Sequence, residues 1–404
     1  NIKPYRHCRL AADEGALQCQ GLRRQRFRSN PECYGKPMTN PRLIAYYLPQ
    51  YHPIPENDAW WGDGFTEWTN VRKAKPLFRG HQQPVQPGKL GYYDLRDPAA
   101  REAQAELARG AGIEGFCYWH YWFGGKQLLE RPFNEVLASG KPDFPFCLAW
   151  ANASWTGIWY GEPERILMEQ TYPGVEDHIE HFNFLLPAFR DPRYLRVDSR
   201  PIFFVFQPAN LDAAWVELWQ RLARNAGLEP LFFIGIINNE QEAEHITKLG
   251  FDGFTISRTS RRGIRLKGSR EALRKLLGPK SANDLFQSVL KQPFHVYDYK
   301  HVLPFLELPK PQSLDFYPCV MPGWDNTPRS GLDGHVFVNP TAEVFKMHLH
   351  KAIERVSGNP PERQIVILKS WNEWAEGNYL EPDLLHGETF LQAIKRELAL
   401  WQDV

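Results

Sequence analysis

The 404-residue sequence contains no run of about 18 or more apolar residues, so no ordinary membrane-spanning helix is expected. Its N-terminal stretch, NIKPYRHCRLAADEGALQCQGLRRQRFRSN, lacks the apolar core of a secretory signal. Six cysteines stand at 8, 19, 33, 117, 147 and 319, and none forms a C-x2-C pair, so no zinc site is expected. Cys117 and Cys147 fall inside apolar runs and read as reduced core residues, which fits a cytoplasmic protein. Neither sign of charge dominates: 48 Lys and Arg stand against 47 Asp and Glu. There is thus no basic field for nucleic acid and no acidic arm for a partner. No G-x-G-x-x-G turn follows the first apolar run, which argues against a doubly wound, dinucleotide-binding sheet.

Aromatic residues, in contrast, are abundant, with 14 Trp, 16 Tyr and 25 Phe. Many serve a core, but rings flanked by polar groups also stack on sugars and other flat apolar faces. From Leu43 onward, short apolar runs alternate with helix-like segments. The runs are LIAYYL (43–48), IEGFCYW (113–119), FPFCLAW (144–150), PIFFVF (201–206), LFFIGII (231–237), FDGFTI (251–256), DFYPCVM (315–321) and QIVILKSW (364–371). Continuous apolar runs of this length suit strands buried on both faces of a parallel sheet. Helical patterns cover 98–110, 175–186, 211–227, 240–250, 270–278, 341–358 and 388–401, with a weaker one at 127–140 that Pro132 interrupts. Eight such strands alternating with about eight helices predict a single α/β domain, a (β/α)8 TIM barrel over 41–404. Roughly fifty residues separate the first strand from the first helix, a connection long enough to be a lid or a binding wall. Residues 1–40 carry eight Lys and Arg against three acids without periodicity and are expected to be a poorly ordered leader, the structured sequence opening near Met38.

In such a barrel the active site forms at the C-terminal ends of the strands. The first strand ends in Tyr47 and is followed by Gln50, His52, Trp60, Trp61, Glu67 and Trp68. The second gives Trp119, His120, Tyr121 and Trp122, and the third Asn152, Ser154, Trp155, Trp159 and Tyr160. Gln207 follows the fourth, Asn238, Asn239 and Glu240 the fifth, and Ser257 and Arg258 the sixth. Trp324, Asp325 and Asn326 follow the seventh, and Asn372, Glu373, Trp374 and Glu376 the eighth. Singly, each has an ordinary reading as a turn or loop residue. Together they form a mouth of rings, amides and acids, which is the composition a carbohydrate site needs.

Glycoside cleavage usually takes two carboxyl groups, one to protonate the departing oxygen and one to attack or to activate a nucleophile. Glu373 and Glu376, three residues apart, converge if the chain past the last strand takes a helical turn. Set among Trp371 and Trp374, two such acids would repel and be desolvated, raising one pKa and leaving an acid beside a base. E-x-x-E is common in helices, and its weight here comes from its place at the end of the eighth strand.

The blocks YLPQYHPIPENDAWWGDGFTEWTNV, KPLFRGHQQPVQPGKLGYYDLRD, GIEGFCYWHYWFGGKQLLE, PDFPFCLAWANASWTGIWYG, WDNTPRSG and SWNEWAEGNYLEPD resemble WbsX-type proteins of bacterial polysaccharide gene clusters over about residues 42–400. These are in turn similar to glycoside hydrolase family 99, through N-E-W-x-E and the first-strand aromatics. The resemblance implies a retaining (β/α)8 hydrolase without metal or cofactor, acting on a carbohydrate. By it, Glu373 is the base that deprotonates the sugar 2-hydroxyl and Glu376 the acid/base at the glycosidic oxygen. That chemistry requires O2 anti to the leaving group, as in α-mannosides and α-rhamnosides. The substrate contacts expected are Tyr47, Gln50, His52, Trp60, Glu67, Trp68, Trp119, His120, Tyr121, Asn152, Trp155, Trp324, Asp325 and Asn372. Ser154 departs from the pattern, standing where a glutamate is expected in many WbsX-type sequences. The rival readings are a glycosyltransferase of polysaccharide synthesis and a non-catalytic glycan-binding barrel. Neither a D-x-D for a metal-held nucleotide sugar nor a Gly-rich phosphate loop after a strand is present.

Overall fold

Each of the eight apolar runs forms a strand in the structure, a computed structural model that describes residues 41–157, 162–239, 241–256, 264–306 and 314–402. The leader expected over 1–40, and Glu240, Trp159, Tyr160, Ser257 and Arg258 at the strand ends, lie outside the described residues. The barrel strands are β1 (Arg42–Tyr47), β2 (Gly115–His120), β3 (Phe146–Trp150), β4 (Arg200–Val205), β5 (Phe232–Ile237), β6 (Gly253–Ile256), β7 in two pieces (Asp315–Phe316 and Cys319–Val320) and β8 (Ile365–Leu368). All pair in parallel with their sequence neighbours, and β8 returns to β1, with Leu43 opposite Val366. The break in β7 falls at Tyr317 and Pro318. Its first piece pairs with β6 and its second with β8, so the sheet closes on itself. Tyr317 donates to Phe254 O at 2.9 Å and Pro318 O accepts from Ile367 at 2.9 Å, which carries the ladder through the gap.

Strand side chains alternate between the barrel interior and the helix layer. On β1, Tyr46 turns inward and stacks on Trp119, with ring centroids 5.0 Å apart. Tyr47 turns outward, and its hydroxyl donates to Gln104 Oε1 at 2.6 Å on the helix Pro98–Ala111. That helix shows how local chemistry sets the ends: the Asp97 side chain accepts from Ala99 N, and Gly112 closes it at a φ of 88°. Pro132, expected to interrupt a helix, lies in the first turn of Arg131–Ser139, where its missing N–H costs nothing.

Two connections are richer than the sequence indicates. The segment after β1 carries two short helices, Pro55–Trp61 and Glu67–Lys73. Between β6 and β8, a short strand Val296–Asp298 pairs in parallel with Val336–Val338. These sit over a second small core that includes Phe286, Phe294, Tyr299 and Phe337. This excursion stands directly beside the barrel mouth. No described helix is long and apolar enough to cross a membrane.

Candidate active site

A cavity of about 530 Å³ opens at the C-terminal ends of the strands. Gln50 after β1, Trp119 and Tyr121 at β2, Ser154 and Trp155 after β3, Phe206 after β4, Trp324 after β7, and Lys369 and Glu373 after β8 line it, together with Glu376, Trp61, Asn326 and Arg329. Strand β5 contributes no lining residue. Asn239 instead donates to Glu242 Oε1 at 2.7 Å and serves the adjoining helix.

The chain past β8 folds so that its two acids meet. Asn372–Glu373 pairs antiparallel with Asn378–Tyr379, and the residues between them, Trp374–Glu376, form a tight 3-10 turn. In that turn residues three apart eclipse one another, which brings Glu376 over Glu373 and lets the two carboxyls share a hydrogen bond. Gly377 closes the turn at a φ of 57°, and a Cβ there would lie 2.8 Å from Asp325 N. Only glycine fits both demands.

The surroundings then separate the two acids. Glu373 is buried and accepts from Trp119 Nε1 at 3.1 Å. Burial, the neighbouring Glu376 charge and their shared hydrogen bond push its pKa up to about 8, so it holds a proton at neutral pH. Burial also opposes ionisation of Glu376. Arg329 and the hydrogen bond from Glu373 outweigh it, and Glu376 titrates below the usual glutamate value. Arg329 Nη1 donates to Glu376 Oε1 at 2.6 Å, and its Nε donates to Glu67 Oε1 at 2.9 Å. Lys369 lies across the cavity with Nζ 4.7 Å from the centroid of the Trp324 ring. The pKa values of the two carboxyls are thus pushed apart, Glu373 up and Glu376 down, beside two cations.

Of the residues expected to meet substrate, Gln50, Trp119, Tyr121, Trp155, Trp324, Glu373 and Glu376 line this cavity together. The others do not, for identifiable reasons. Tyr47 faces the helix layer, as described. His52 is buried with Nδ1 3.0 Å from Pro49 O. Trp60 packs edge-on against Trp155, at 5.9 Å. Glu67 is fully buried behind Arg329. Trp68 donates to Tyr93 O at 2.8 Å and lies against Trp374. His120 pairs with His181, Nε2 to Nε2 at 2.8 Å, and burial pushes its pKa down to about 3, so it is neutral. Asn152 ties β3 to the end of β4 through Gln207 N and O, at 2.8 and 3.0 Å. Asn372 makes the same pair of hydrogen bonds with Leu48, accepting from its N at 2.8 Å and donating to its O at 3.0 Å. Asp325 accepts from His81, Gln83 and Thr327 on the far side of Trp324. Trp371 and Trp374, expected to wall the two acids, are fully buried in the main core instead. The walls are Trp119, Tyr121, Trp155 and Trp324.

Arg329 and Lys369 also line the cavity and are not expected there from the sequence. Arg329 was present in the block WDNTPRSG, and Lys369 as a lone cation ending the apolar run QIVIL. Both signals become visible only when the strands are assembled around one mouth. Among the described residues, no group of three or more His, Cys, Asp or Glu is placed to hold a metal ion.

Comparison with known proteins bears on this arrangement. Solved structures with the same fold include the GH99 endo-alpha-mannosidase from Bacteroides thetaiotaomicron in complex with BIS-TRIS-Propane, at TM-score 0.54 and 16% identity, covering 90% of this chain and 98% of that one. A glycoside hydrolase-like protein matches at TM-score 0.55 and 15% identity, covering 90% of this chain and 95% of the other. The uncharacterized protein WxcX of Xanthomonas campestris pv. campestris (strain B100) is 35% identical over 365 residues, 90% of this chain. The chain spans about half the length of the curated relatives it matches, 50% in each case. The model of the family described as Glycosyltransferase WbsX matches residues 43–394, so the chain belongs to that family.

Proposed function

We propose that this chain is a glycoside hydrolase that cleaves manno-configured α-linkages, α-mannoside or α-rhamnoside, in a bacterial polysaccharide with retention of configuration. The observation that carries the reading is the Glu373–Glu376 pair, one carboxyl buried and one half-buried, lining an aromatic-walled barrel mouth, with the pKa of Glu373 held up and that of Glu376 held down. One proton on two acids is the count that an acid and a base acting together require. Trp119, Tyr121, Trp155 and Trp324 supply flat faces for sugar C–H groups, and Gln50, Ser154 and Asn326 supply hydroxyl partners.

In the chemistry the family 99 resemblance implies, Glu373 takes the proton of the sugar 2-hydroxyl while Glu376 protonates the glycosidic oxygen. O2 then bonds to C1 as the leaving group departs as an alcohol, giving a 1,2-anhydro sugar that water opens with the same two groups in reversed roles. With the pKa of Glu373 raised and that of Glu376 lowered, the resting site favours the proton on Glu373. The first event is therefore passage of that proton to Glu376 along the hydrogen bond they share. Arg329, which favours Glu376 as an anion, opposes this step. Glu67, its second carboxylate partner, offsets that opposition by holding part of the cation's charge.

A second reading, a glycosyltransferase, is favoured by the description of the family itself. The two separate cleanly. A hydrolase releases reducing ends from an α-mannan or α-rhamnan with no nucleotide sugar present, whereas a transferase shows a melting shift with a nucleoside diphosphate alone. If Glu373→Gln and Glu376→Gln both leave turnover intact, the pair is not the reacting centre.

A further inference from the structure

A second cavity, of about 450 Å³, lies on the other side of Trp324 and Phe337, which line both cavities. Its acids are already engaged. Asp325 Oδ2 accepts from His81 Nε2 at 2.8 Å and Gln83 Nε2 at 2.7 Å, and Asp383 Oδ2 accepts from the Tyr379 hydroxyl at 2.7 Å and His386 Nδ1 at 2.9 Å. Its cations are not engaged in this way. Arg79 and Lys267 are exposed, and neither forms an ion pair among the described residues. Arg270 is only 9% exposed, yet no described carboxylate pairs with it. Its Nε donates to Pro293 O at 3.0 Å and one Nη to Gln292 Oε1 at 3.2 Å, both neutral acceptors. The guanidinium lies between rings, 5.3 Å from the centroid of Phe78 and 4.7 Å from that of Phe286. Burial lowers its pKa with no opposing charge. Burying a cation without a counter-charge is unfavourable. Such a guanidinium beside two further cations, in a cavity that shares Trp324 and Phe337 with the first, has the chemistry to hold an anion.

We propose that this second cavity binds an anionic group, carboxylate or phosphate, carried on a saccharide that extends past Trp324 from the catalytic cavity. The proposal deepens the glycan reading by adding charge to the substrate class. Two sources fit the chemistry: an acidic sugar residue of the polymer, or the diphosphate of a sugar donor.

The test is binding rather than turnover, so it stands apart from any failure of hydrolysis. Glucuronate, pyrophosphate and neutral glucose are titrated into the Glu376→Gln protein and followed by ligand-observed NMR. An anion is expected to bind at low salt, and its affinity to fall about fivefold or more in Arg79→Ala/Lys267→Ala and in 0.5 M salt. Arg270→Gln is expected to weaken it further. Its cooperative melting, compared with the parent, shows that the fold survives. The two surface substitutions keep the test open if it does not. Glucuronate binding alone assigns the anion to an acidic polymer, and pyrophosphate binding alone to a donor. If neither anion binds better than glucose, or if the double variant binds both as the parent does, the proposal is overturned.

Discussion

Arg329 stands between Glu67 and Glu376 and favours Glu376 as the ionised member of the proposed catalytic pair. The pair titrates as a unit. Its active form holds one proton, so kcat/KM is expected to be bell-shaped in pH. Activity falls on the alkaline side near pH 8, where Glu373 loses the proton that burial and Glu376 hold on it. It falls on the acid side below the usual glutamate range, where Glu376 is protonated too. Glu67→Gln removes the competing partner of Arg329, so Arg329 favours the Glu376 anion more strongly. The acid limb is expected to move to lower pH and kcat to drop about tenfold, equivalent to ~1.4 kcal/mol of harder protonation. A stability loss with an unmoved pH profile contradicts this positioning role. Tyr47→Phe separates the sequence expectation from the structure. It is expected to leave KM unchanged and to lower stability by about 1 kcal/mol, because Gln104 loses its buried donor. Thermal melting and substrate saturation curves read the two effects independently.

The element that makes the site is the short turn after β8, and it depends on backbone geometry as much as on its acids. Gly377→Ala forces a left-handed φ onto a residue whose Cβ meets Asp325. A loss of roughly 1–3 kcal/mol is expected, with activity falling further than stability because Glu376 is displaced. Chemical denaturation beside kcat measures both. Asn372 anchors the same turn to the end of β1 and reads as a substrate amide from sequence alone, since a strand-end asparagine looks the same in either role. The convergence of Glu373 and Glu376 on one cavity is legible because they end the last apolar run. Trp371 and Trp374 were misread as their walls, since adjacency in sequence says nothing of the direction a side chain takes through a 3-10 turn. Tyr46 and Tyr47 show the same limit. Both lie in one continuous apolar run, and a strand buried on both faces carries no alternation that marks its inner side.

At the scale of the molecule, the (β/α)8 alternation was readable because parallel strands buried on both faces leave long apolar runs. The closure through a divided β7 was not readable, nor was the pairing of Val296–Asp298 with Val336–Val338. Segments of two or three residues, the paired ones some forty positions apart, carry no period to detect. That excursion nevertheless supplies Phe337 to both cavities, and the adjoining segments bring Trp324 and Arg329. The barrel thus gathers onto one mouth an acid pair from the turn after β8, the arginine that pairs with Glu376 from the segment after β7, and that arginine's second partner from the segment after β1. The most direct test of this assembly is the release of reducing ends from a panel of α-mannans, α-rhamnans and bacterial surface polysaccharides, without nucleotide sugar, by the wild type and Glu376→Gln. Cleavage of a manno-configured α-linkage by the wild type, reduced about a thousandfold in a variant that still binds the glycan, is the predicted result. Equal release by the two proteins, or product formation only when a sugar nucleotide is added, would contradict it.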